Sequence, residues 1–202
     1  MKKKIYISAD YDDDSGDRNV VEELNRWATD NRYKLDFVDM AKVVSGSVCR
    51  DPDCRACDLK EEFNRQINAS SVVIIVIGDK TASRTAGSSC MRHKLPQYQC
   101  TCTPYKHNTN GIQQCKVIAT TIVPEDGDIG CINGYSYLRH EYEQAVRKNK
   151  KLVVLYNATI REPHWLPNYM NQWEDLAYPF WMEFNNKRVG NYYYIKKVLE
   201  ID

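Results

Sequence analysis

The chain has 202 residues, enough for one domain with a sizeable core. Its 28 Lys+Arg stand against 27 Asp+Glu, and a formal charge of +1 offers no basic surplus for the phosphate contacts of a nucleic-acid binder. Apolar residues at 43% fit a folded chain, yet the longest apolar run, Val72 to Ile77, falls far short of the roughly 20 residues of a membrane-spanning helix.

Residues 4–9 read as a first strand carrying Ile5, Tyr6 and Ile7, and residues 10–17 as a polar turn. From 18 to 31, Val20, Val21, Leu24, Trp27 and Ala28 recur at helical spacing. Residues 34–40 form a second strand with Leu35, Phe37 and Val38. Asp58, with Glu61 three residues on, predicts a helix start resembling a capping box, followed by the stripe Leu59, Phe63, Ile67. Residues 71–77 are β-branched throughout their apolar stretch, as in the middle of a parallel sheet. A helix is predicted over 136–148 with Leu138, Tyr142, Ala145 and Val146 inward, then a buried strand over 151–156. Pro163, Pro167 and Pro179 mark an irregular stretch; residues 180–184 are expected as an edge strand and 191–200 as a closing helix. The alternation of strand and helix predicts a doubly wound α/β fold, a parallel sheet of about five strands in the order 2-1-3-4-5.

Residues 85–135 break this rhythm. A βα connection usually takes 2–6 residues, so this stretch is expected as an inserted, Cys-containing segment over the carboxyl edge of the sheet. It holds five of the eight cysteines, His93, His107 and a strand-like run over 116–123. Cys54 and Cys57 have the spacing of a zinc knuckle, with Cys49 nearby, but no second C-x-x-C accompanies them. Plain thiols are the expectation, and metal binding by Cys49, Cys54 and Cys57 the alternative. Met1-Lys2-Lys3-Lys4 precedes only three apolar or aromatic residues, so no secretory h-region is recognised and cytoplasmic residence is the default.

Ligands of open α/β sheets bind beyond the carboxyl ends of strands where the strand order reverses. Here that places Ser8, Ala9, Asp10 and Tyr11 opposite Gly78 to Arg84, a set rich in hydroxyls with Asp10, Thr81 and Arg84 among them. The aspartates at 10 and 12–14 also suit an ordinary helix-capping turn.

Ile5-Tyr6-Ile7-Ser8-Ala9-Asp10-Tyr11 resembles the opening strand of bacterial TIR-like proteins, with its serine and following aromatic. Leu59 to Ile67, then Ser70-Ser71 and Val72 to Gly78, resembles that family's "IKRQI…S-x-VVIVLIG", and Gly78-x-x-Thr81-x-x-Arg84 follows in register. Tyr137-Leu138-Arg139-His140-Glu141 is similar to the W-V-x-x-E helix start, with tyrosine in place of tryptophan, and 149–156 to "G-N-K-I-I-G-I". Over residues 3–84 and 136–160 the chain resembles in particular the TIR-like sensor subunit of Thoeris antiphage defence; the 85–135 insertion is outside the core pattern.

The resemblance implies a flavodoxin-like fold in a single domain over 1–202. It also implies cleavage of the nicotinamide–ribose bond of NAD, giving an ADP-ribose-derived signal, cyclic in some members, for a downstream effector protein. NAD is then a substrate, and no bound cofactor or metal is required. Self-association or a phage-derived activator is the expected trigger, with neither nucleic acid nor membrane as partner. Glu141 is the expected catalytic carboxylate, sharing a helical face with Tyr137. Ser8, Asp10, Tyr11, Asp39, Thr81, Arg84 and Tyr137 are the expected substrate contacts, with Arg84 suited to a phosphate. Glu143 and His140 are expected to face solvent. Two alternatives stand beside this: a non-enzymatic signalling or assembly module, and a nucleoside 2-deoxyribosyltransferase-like enzyme.

Overall fold

In the computed structural model, residues 4–11, 15–30, 36–38, 52–84 and 136–200 are described. Asp39 and the 85–135 insertion lie outside them. Three strands come first: β1 (Lys4–Ser8), β2 (Asp36–Val38) and β3 (Val72–Ile77), with α1 (Asp17–Thr29) and α2 (Pro52–Ala69) between them. Then follow α3 (Tyr137–Arg147), β4 (Lys151–Tyr156), two 3-10 turns at Pro163–Trp165 and Asn168–Trp173, β5 (Tyr178–Pro179), the pair β6 (Trp181–Phe184) and β7 (Lys187–Gly190), and α4 (Tyr192–Leu199).

The main sheet runs β2-β1-β3-β4-β5, and each neighbouring pair is parallel. β3 explains why its sequence shows no alternation of polar and apolar residues. Val73, Ile75 and Ile77 point into a core with Tyr6, Phe63, Leu138 and Tyr142, whereas Val72, Ile74 and Val76 point into one with Val20, Leu24, Trp27 and Ile195. A strand covered on both faces by helices must be apolar at every position. α2 and α3 therefore cover one face, α1 and α4 the other.

Four expectations are corrected. Val146, expected inward, is exposed, one residue round the helix from the buried Ala145. α2 begins at Pro52, not Asp58, so Cys54 and Cys57 both fall inside a helix. Proline is favoured at a first helical position, where its missing N–H has no helical partner to lose. The edge strand of the sheet is Tyr178–Pro179; residues 181–184 instead pair antiparallel with β7. The turn between β6 and β7 is Asn185-Asn186, both with positive φ (50° and 57°), the backbone of a two-residue hairpin turn that asparagine tolerates. His140 is buried, with Nε2 3.0 Å from Asn64 Oδ1, because α2 packs along the flank of α3 on which it sits.

Candidate functional site

The side chains of a strand alternate between faces, so Tyr6 and Ser8 emerge two residues apart on the α3 side of the sheet. Above them, α3 starts at the N-cap Ser136, whose hydroxyl accepts from the Arg139 N–H at 3.2 Å. From that start, Leu138, Glu141, Tyr142 and Ala145 form one inward stripe at helical spacing. Glu141 thus occupies a position that helix geometry would assign to an apolar residue. It is 5% exposed.

Two hydroxyls compensate for this burial. The Tyr6 hydroxyl donates to Glu141 Oε1 at 2.5 Å, and the Ser8 hydroxyl donates to Oε2. Burial pushes the Glu141 carboxyl from 4.5 up to about 7, and the Ser8 and Tyr6 hydrogen bonds act against that rise. The Tyr6 phenol is held well above its ordinary range, first by burial and then by the Glu141 charge, so it remains a donor. A carboxyl titrating near neutrality, at the carboxyl end of β1, can carry negative charge toward a developing cation or accept a proton.

The other predicted residues do not all converge on it. Asp10 and Arg84 meet each other, Arg84 Nε donating to Asp10 Oδ2 at 2.6 Å and bridging the loops that follow β1 and β3. Thr81 is buried and accepts from the Gly78 N–H at 2.8 Å, closing the turn after β3. Tyr137 packs edge-on against Phe63 with ring centroids 5.7 Å apart. Tyr11 packs its ring at the margin of both cores, and its carbonyl accepts from Arg18. Glu143 pairs with Arg139 at 2.8 Å, half-exposed.

Sequence reasoning missed two residues. Tyr6 reads as plain core, since nothing local reveals a carboxylate 135 residues away. Asp17 reads as part of a solvated turn, yet it is fully buried at the start of α1. Its Oδ1 accepts from Asn157 Nδ2 at 3.0 Å, and Oδ2 has no hydrogen-bond partner among the described residues. The same carboxylate lies over Gly78, where an added Cβ would come 2.4 Å from Oδ1. Asn157 in turn accepts from the Trp181 indole N–H at 2.7 Å, tying the β6–β7 hairpin to this edge. Burial raises the Asp17 carboxyl from 3.8 to about 7. Among the described residues, no group of three or more His, Cys, Asp or Glu is arranged to hold a metal.

Residues 6–87 match the family model described as Thoeris protein ThsB, TIR-like domain. The matched segment contains Tyr6, Ser8, Asp17 and Gly78; Glu141 lies outside it. Neither the curated proteins nor the solved structures contain a match to the chain.

Proposed function

For a chain that is TIR-like and Thoeris-related over residues 6–87, we propose the role of a defence enzyme that consumes NAD. It cleaves the nicotinamide–ribose bond and releases an ADP-ribose-derived signal, cyclic or linear, that a downstream effector protein reads. The observation that carries this reading is Glu141, an ionisable carboxylate buried at the carboxyl edge of the sheet and held by two hydroxyls. A module that only assembles has no need of such a group, because burying a carboxylate costs stability.

The chemistry follows from charge. Nicotinamide leaves a cationic pyridinium as a neutral molecule, taking the electron pair of the C–N bond, so no acid is needed to protonate it. The ribose is left as an oxocarbenium-like cation, as in glycoside cleavage. A fixed carboxylate at Glu141 offsets that positive charge without reorganising. Capture of the cation by water, or by a nucleophilic nitrogen of the same nucleotide, restores a neutral sugar carbon. When water attacks, its proton is lost, and a carboxylate titrating near 7 is matched to receive it. Ser8 contributes by holding Glu141; Tyr11, Asp39, Thr81 and Tyr137 remain proposed substrate contacts. Arg84 reaches a phosphate only by exchanging or sharing its Asp10 partner.

Purified protein should release nicotinamide from NAD, with a phage component added where the protein alone is silent. Loss of that release in Glu141→Gln supports the reading, and undiminished release overturns it. Nucleoside base exchange without NAD cleavage would favour the deoxyribosyltransferase-like alternative.

A further inference from the structure

Beyond the carboxylate itself, the β1 strand supplies a group with no other evident purpose. Tyr6 is completely buried among apolar side chains, a place where phenylalanine would pack without desolvating a hydroxyl. Its hydroxyl is spent on one partner, Glu141 Oε1, at 2.5 Å. Ser8 occupies the other oxygen, so the carboxylate plane is fixed from both ends by one strand, on which the two donors are two residues apart. We propose that Tyr6 is a positioning residue for Glu141, fixing the carboxylate in one orientation and favouring its charged form. The assignment rests on the proposed role of Glu141 but can be read independently of turnover.

Among the described residues, the ionisable groups around the pair are few. Tyr11 from the loop after β1 and Glu62 from α2 act on Tyr6, and Tyr169, from the irregular segment before β5, feels the charge of Glu141. Only Tyr6 and Ser8 hydrogen-bond the Glu141 carboxylate among the described residues. Removing the Tyr6 hydroxyl therefore leaves burial opposed by Ser8 alone.

The test is Tyr6→Phe, which keeps the ring. The Glu141 carboxyl is followed by carbon-13 NMR across pH, assigned by its absence in Glu141→Gln. One charge-assisted hydrogen bond corresponds to a midpoint moved upward by roughly one to two pH units. The acid limb of nicotinamide release should move upward with it, kcat recovering at alkaline pH while KM stays near the parent value. A fluorinated tyrosine placed at position 6, a stronger donor of nearly the same size, should move the midpoint downward and serves where Tyr6→Phe folds poorly. A Glu141 midpoint that stays with the parent value in a folded position-6 variant overturns the assignment. If the parent releases no nicotinamide at any pH even with the phage component added, the enzymatic reading fails, and the NMR midpoint still decides the role of Tyr6.

Discussion

Asp17→Asn should leave stability almost unchanged in acid and raise it at mildly alkaline pH. The folded protein holds the Asp17 carboxyl at about 7 instead of 3.8, chiefly because the group is buried. Below the unfolded value both states are protonated and burial of the group carries no charge cost. As pH rises from about 4 to about 7 the unfolded chain loses its proton first, so stability falls; above about 7 the loss is complete. Each pH unit between the two titrations is worth about 1.4 kcal/mol, so the charged folded state carries a cost on the order of 4 kcal/mol at pH 8. Asparagine removes that cost and can still accept from Asn157 through Oδ1. Its amide nitrogen takes the place of Oδ2, which has no partner among the described residues; below about pH 7 the protonated carboxyl carries an equally unpartnered O–H there, so that cost of about 1–3 kcal/mol is common to both proteins in acid. The variant should therefore match the parent to within about 1 kcal/mol near pH 4, and be more stable at pH 8 by up to about 4 kcal/mol. Urea unfolding at pH 4, 6 and 8 measures this directly. Glu141 titrates in both proteins and cancels in the difference. A parent–variant difference that stays constant across pH would refute the reasoning.

Two further substitutions probe the same edge. Gly78→Ala puts a methyl 2.4 Å from Asp17 Oδ1 and should destabilise by about 1–3 kcal/mol in chemical denaturation. Combined with Asp17→Ala, which vacates that space, its cost should shrink well below additivity. Glu143→Gln removes a half-exposed partner of Arg139 and should cost less than about 1 kcal/mol, with nicotinamide release at the parent rate.

The fold was legible where one physical demand governed a whole segment. Burial on both faces made Val72–Ile77 apolar throughout, and a 3.6-residue stripe marked α1 and α3. Glu141 was legible as a candidate through the family resemblance, and its place in an apolar stripe explains how it comes to be buried. What stayed hidden depended on contacts distant in the chain. His140 looks solvent-facing on an isolated α3, and only the packing of α2 turns its flank inward. Tyr6 and Asp17 are chemically ordinary until β1, β3, β4 and α3 come together around them. The β6–β7 hairpin carries a local signal in Asn185-Asn186, which reading residues 180–184 as an edge strand leaves out.

The central claim is that Glu141 carries the chemistry. Its most direct test is nicotinamide release from NAD at pH 8, where the carboxyl is charged, compared between parent and Glu141→Gln under conditions in which the parent turns over. Electrostatic groups of this kind are worth about 10²–10³ in rate, so the variant should lose about that factor while binding NAD with parental affinity. Equal rates from parent and Glu141→Gln would contradict the account.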